Sequence, residues 1–170
     1  MSLPRAVVIG NSFGCQIGIE LALRHPECVE RLILIGPTAD PSLRNAFTMI
    51  WRLAVDATRE PISLLPLAVR DYLIAGPVRM IQSFRHLLAY RTEKRLPQIS
   101  VPVLSLAGSR DPIVTNRWVK RVAQIVPDGR HLVIPDVSHA VNYSAPATLV
   151  EAIRPFLSEC AHERGGMDQG

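Results

Sequence analysis

The 170-residue chain is poor in cysteine, in lysine and in aromatic side chains. Its three cysteines, Cys15, Cys28 and Cys160, are an odd number without metal-ligand spacing. They exclude a disulfide scaffold and a zinc site, and they read as free thiols in a reducing, cytoplasmic setting. Only ten residues are glycine and none repeats with a collagen period. Long uncharged runs are missing as well: the two longest lie between Arg5 and Glu20 and between Leu96 and Ser109, and Asn, Ser, Gln and Gly interrupt them. Neither can span a membrane. Pro4 and a single Arg5 precede only a short apolar run ending at Gly10-Asn11-Ser12, which is not the pattern of a signal peptide.

What is present is the composition of one soluble globular domain, 48% hydrophobic and 20% charged. The net charge of +4 is uneven, because residues 41–95 carry +5 and leave the remainder at −1. Seventeen arginines stand against two lysines, scattered at roughly helical intervals rather than gathered in a run. That spacing describes a solvated helical face, and with no recognition motif beside it no nucleic-acid partner is expected.

Strand and helix signals alternate at both ends of the chain. Ala6 to Ile9 is a short apolar run closed by Gly10, as in a buried parallel strand, and a helix follows from Cys15 to Arg24 until Pro26. Leu32 to Ile35 is the next buried strand, ended by Gly36-Pro37. From Asp40 to about Arg95 amphipathic stretches punctuated by Pro61, Pro66, Gly76 and Pro77 predict three or so helices. Strand signals return at Val101 to Ala107 and His131 to Ile134, with helices at Thr115 to Val126 and Ala145 to Leu157 and a frayed tail from Glu159. The expectation is an α/β fold, a mostly parallel sheet of about four strands, with its active site beyond the carboxyl ends of those strands.

Three residues fall at such ends. Ser12, in Gly10-Asn11-Ser12-Phe13-Gly14, stands between a strand and a helix, where a sharp turn lifts the hydroxyl above the sheet and the flanking glycines leave room for it. The Phe13 N–H then faces the place where an oxyanion develops. Asp111, in Gly108-Ser109-Arg110-Asp111-Pro112, follows the third strand; alone, Asp before Pro is an ordinary turn. His139 lies in Asp136-Val137-Ser138-His139-Ala140 after the fourth strand. Together they run Ser, Asp, His, each in a strand-to-helix loop on one sheet edge, the order of a nucleophile, an orienting acid and a base.

Competitors fit less well. Asp40 is a substitute acid in a poorer setting, and Asp136 is close enough to His139 to cap its turn. His25, His86, His131 and His162 fall at a helix end, in a helix, on a strand and in the tail. Cys15 neighbours the turn, but Ser12 occupies its apex.

From Pro4 to about Leu157 the sequence resembles the α/β-hydrolase superfamily. Gly-Asn-Ser-Phe-Gly-Cys with Glu20-Leu21-Ala22 and Arg31-Leu32-Ile33-Leu34-Ile35-Gly36-Pro37 is similar to the branch of meta-cleavage-product (carbon–carbon bond) hydrolases and small esterases. The resemblance implies Ser12 as nucleophile, His139 as base and Asp111 as its orienter, acting on a small ester or vinylogous diketone with no cofactor or metal. It divides the chain into core residues 1–37, a helical cap at 38–97, further core at 98–158 and a tail at 159–170. Phe47, Trp51, Tyr72 and Phe84 become candidates for an apolar pocket beneath the cap.

Members of that superfamily place several strands and a His-Gly oxyanion loop before the serine turn, which here opens at Gly10. The chain is therefore expected to be a C-terminal portion, impaired by loss of that loop. Its first strand, Ala6 to Ile9, is expected to be an open edge that invites self-association. The alternative is a non-catalytic remnant that acts, if at all, through such pairing.

Overall fold

The computed structural model describes residues 5–165. Four parallel strands, β1 (Ala6–Asn11), β2 (Val29–Ile35), β3 (Val103–Gly108) and β4 (Gly129–Ile134), form one sheet in the order β1-β2-β3-β4. The register pairs Asn11 with Ile35, Ile35 with Leu106, and Leu106 with Leu132. All strands thus point their carboxyl ends to the same edge, as the sequence pattern requires.

A two-residue alternation sorts the side chains between the faces. Leu32, Leu34 and Val103 join Cys15, Ile19 and Ala22 of α1 (Gly14–Arg24) and Val119 and Val122 of α5 (Asn116–Ile125) in one core. Ile33, Ile35, Leu104 and Leu106 meet Leu149, Ile153 and Phe156 of α7 (Pro146–Gly165) on the other. Arg31 and Arg130 lie over the Phe156 ring at 5.1 and 5.7 Å, which adds a cation–π contact to this docking. Because both faces are covered, β2 from Leu32 to Ile35 is an unbroken apolar run and β3 is apolar but for the buried Ser105. β1 differs: it ends the sheet, and its Ile9 is 52% exposed.

Residues between β2 and β3 are helical, as expected. They form α2 (Ala46–Ala57), α3 (Leu65–Ala89) and the short α4 (Thr92–Arg95). Asn45 caps α2 by accepting from the N–H groups of Phe47 and Thr48. Gly76, at φ +73°, bends α3 ahead of Pro77, so the punctuation seen in the sequence becomes a kink rather than a gap.

Two boundaries depart from expectation. The segment after the fourth strand first makes α6 (Val141–Ser144) and only then α7, with Pro146 at its start. The last helix does not stop at Leu157 but runs to Gly165, so backbone hydrogen bonding carries past a point where apolar periodicity had faded. The fraying expected for residues 166–170 and the Cys160 side chain lie outside the described residues. Among the described residues no helix is long and apolar enough to cross a membrane.

Candidate active site

The turn after β1 is built around Ser12, which adopts φ +52°, a left-handed conformation rare for a residue with a side chain. Its N–H donates to Ile35 O at 2.8 Å, and Thr38 Oγ1 donates to Ser12 O at 3.3 Å. Gln16 Nε2 in turn donates to Thr38 Oγ1 at 3.3 Å, and Cys15 Sγ donates to Gly10 O at 3.2 Å. These contacts hold a strained backbone from three sides. Gly10 is required sterically, since a Cβ there would lie 2.6 Å from Gly14 O. Gly14 has no such neighbour, so only one of the two flanking glycines makes the close approach expected of both. Burial pushes the Cys15 thiol well above its ordinary value, which leaves it protonated and unreactive.

Phe13, at φ −57°, precedes α1, and its N–H enters no backbone–backbone hydrogen bond among the described residues. It is an open donor at a helix start.

Beyond β3 and β4 the structure brings Asp111 and His139 together. Asp111 Oδ1 accepts from the N–H groups of Ile113 at 2.7 Å and Val114 at 2.9 Å, which fixes the carboxylate. Its Oδ2 lies 2.7 Å from His139 Nδ1. An ionised carboxylate only accepts, so Nδ1 carries the proton and Nε2 of the neutral ring holds the lone pair a base needs. His139 is 7% exposed, and its Nε2 has no partner among the described residues. The Ser12 hydroxyl is therefore not bonded to the ring here, although Ser12 N–H is tied to Ile35 and the next residue, Gly36, packs on the imidazole.

Burial pulls the His139 pKa down. The hydrogen bond to Asp111, with the charges of Asp111, Asp56 and Glu60, outweighs that and leaves it above the ordinary histidine value.

Asp40 does not compete for His139: its carboxylate accepts from Ser42 N and Oγ and from Thr115 Oγ1, at 2.9, 2.7 and 2.9 Å. Asp136 sits at a turn with φ +59° and pairs with Arg110 at 2.8 Å. The aromatic candidates scatter. Phe47 is 80% exposed and Trp51 65% exposed, while Phe84 packs against the core beside α1 instead of lining a pocket. Tyr72 lines a cleft of about 550 Å³ between α2 and α3 with Leu53, Asp56 and Glu60. Helical spacing of aromatics does not distinguish a lining position from a core or a surface one.

Sequence reasoning passed over Thr38 and Gln16, for which no local pattern exists, and took Gly36 only as the end of a strand. It also passed over Asp56 and Glu60, whose spacing with Arg52 along one helical face was the available signal.

The sequence model of the alpha/beta hydrolase family matches residues 2–152. The chain belongs to that family. Among curated proteins it is similar to "Putative carbamate hydrolase RutD" of Caulobacter sp. (strain K31), with 26% identity over 93% of this chain and 67% of the relative. The chain thus spans about two thirds of that relative's length. Among solved structures, Est816, described as an N-acyl homoserine lactone degrading enzyme, superposes with a TM-score of 0.72 at 24% identity, covering 91% of this chain and 68% of the other. A serine hydrolase involved in carbazole degradation, CarC, gives 0.69 at 19% identity, covering 93% and 66%. These structural likenesses establish the alpha/beta hydrolase fold for the four-stranded sheet.

Proposed function

We propose that this alpha/beta hydrolase acts by acyl transfer through Ser12, His139 and Asp111. The observation that carries the reading is the 2.7 Å contact of His139 Nδ1 with an Asp111 carboxylate already fixed by two backbone N–H groups. It leaves Nε2 as a buried, unpartnered acceptor on the sheet edge where Ser12 adopts its strained turn.

His139 Nε2 takes the Ser12 proton as Oγ attacks a carbonyl carbon, and Phe13 N–H donates to the oxyanion. His139 returns the proton to the leaving group, the acyl-enzyme forms, and water enters by the reverse sequence. Carbamate and lactone, named for two of the relatives, share with esters a carbonyl bearing a heteroatom leaving group. A small ester-like carbonyl compound is the substrate class proposed, with a vinylogous diketone as the carbon–carbon variant. Residues 38–97 act as the cap of this site, with Tyr72 in the cleft between α2 and α3.

The second reading, a non-catalytic remnant that self-associates, draws on β1, where Ile9 and neighbouring Ile17 of α1 are 52% and 62% exposed. A fluorophosphonate probe separates the two. Covalent label mapped to Ser12, and lost in Ser12→Ala, supports acyl transfer; a folded chain that takes no label supports the remnant.

A further inference from the structure

The C-terminal end of α2 reaches the two loops that carry Asp111 and His139. Arg52 donates through Nη1 to Pro112 O, the residue after Asp111. Arg59 Nη1 donates to Arg110 O, the residue before it, at 2.9 Å. Glu60 Oε1 accepts from Ala140 N–H, the residue after His139, at 2.7 Å. One turn further on, Tyr143 Oη donates to Ser63 Oγ at 3.1 Å. The arrangement has a chemical order: guanidinium groups meet carbonyl oxygens of the acid loop, and a carboxylate meets an amide of the base loop. Arg52 and Asp56 lie one turn apart on α2, and Arg59 and Glu60 follow in the turn that closes it, their N–H groups both donating to Asp56 O at 2.8 and 3.1 Å. Arg52, Arg59 and Glu60 thus all reach the acid and base loops from the end of α2 and the turn after it. Asp56 is 9% exposed, and Asp56 Oδ1, Glu60 Oε2 and His139 Nε2 are each buried without a partner.

We propose that the end of α2 and the turn that follows it form a clamp that sets the positions of the acid and base loops, with Glu60 as a positioning residue for His139. The proposal rests on the reading of His139 as the base, yet its test does not depend on turnover. The charged groups facing the imidazole are Asp111 from the loop after β3, Asp56 from α2 and Glu60 from the turn after it. Arg52 and Arg59 are held on the acid-loop carbonyls. Withdrawal of the Asp56 or the Glu60 carboxylate removes negative charge from the base and, for Glu60, releases the amide that follows His139.

Two variants divide these effects. Glu60→Gln keeps an acceptor for Ala140 N–H and removes the charge, whereas Glu60→Ala removes both. The His139 ring is titrated by NMR and the Ala140 amide is followed by hydrogen exchange, both on the full chain. Glu60→Gln lowers the His139 midpoint while the Ala140 amide stays protected. Glu60→Ala lowers the midpoint and speeds exchange by about tenfold or more, the worth of a charge-assisted hydrogen bond. An unmoved midpoint in Glu60→Gln, or wild-type exchange in Glu60→Ala, overturns the clamp. Absence of Ser12 labelling with both shifts intact overturns the catalytic reading instead.

Discussion

Gly36 lies against the His139 imidazole so closely that a Cβ on it would sit 2.7 Å from Cε1 and 3.0 Å from Nδ1. The same atom would lie 3.5 Å from Asp111 Oδ2, and the residue already has φ +57°. Glycine here is needed twice over, for the backbone and for the space. Gly36→Ala is expected to cost at least about 1–2 kcal/mol from the left-handed backbone alone. It should also push the ring off Asp111 and abolish Ser12 labelling. Urea unfolding and probe labelling measure the two effects, and undiminished labelling would show that the base lies elsewhere.

The two glycines around Ser12 should behave differently. Gly10→Ala drives a methyl group onto Gly14 O and must disturb the turn, whereas Gly14→Ala enters open space at the first position of α1. The expected result is a lower Tm and lost labelling for Gly10→Ala. For Gly14→Ala, Tm should be unchanged or slightly raised by the better helix former. Equal damage from both would contradict the contact geometry.

Asp111→Asn should slow acylation of Ser12 by roughly 10⁴-fold, because the amide no longer fixes the Nδ1-protonated tautomer. Asp40→Asn should leave labelling within a few-fold of wild type. It loosens the Ser42 and Thr115 contacts and costs about 1 kcal/mol, as loss of a cap does. Stopped-flow labelling and thermal unfolding compare the pair; a reversal of the two rates would make Asp40 the orienter.

The pH dependences of reactivity and stability should run in opposite directions. His139 holds its proton more tightly in the fold than at its ordinary value of 6.5, so its stabilisation is complete below that value and is lost as pH rises through the raised one. Asp56 acts in the same sense at lower pH. Burial, with help from Glu60 and Asp111 against the pull of His139, lifts it from 3.8 to about 6. Its contribution is present below 3.8 and fades as pH climbs through about 6. Acylation needs neutral His139 and should fall as pH is lowered, with a midpoint above 6.5. Urea midpoints and labelling rates from pH 4 to 9 check both trends, and Asp56→Asn should flatten the lower part of the stability profile.

β1 predicts an association equilibrium. Its outer edge pairs with no strand among the described residues, and its Ile9 side chain is half exposed. Sedimentation should show self-association that Ile9→Lys weakens. A monomer at all accessible concentrations would remove β1 as a contact surface.

The sheet was legible because β2 and β3 are buried on both faces, which leaves short apolar runs, and their length and the glycines that close them decide for strand over helix. That Ser12 and His139 stand in strand-to-helix loops was legible because the turn chemistry of those loops is local. The Asp111 partnership needed only chain order and strand ends. The clamp was not legible, since Arg52, Asp56 and Glu60 look like any solvated helix face until the loops they meet are placed. Nor was the fate of Phe47, Trp51, Tyr72 and Phe84, because burial of an aromatic depends on what lies across from it. The short α6 escaped notice for a related reason: one turn of helix carries no periodicity.

α3 is 25 residues long and buries none of them, although Phe84, Leu87 and Leu88 rest half-buried on the core. A connection of that kind contributes mainly chain length between β2 and β3, and each doubling of a flexible connection costs only about 0.6 kcal/mol in closure entropy. Drift in the sequence of α3 is thus nearly invisible to the register of the sheet. Turns can in principle be gained, lost or recomposed there while the strands below keep their pairing, so the length of this segment is set apart from the register of the sheet.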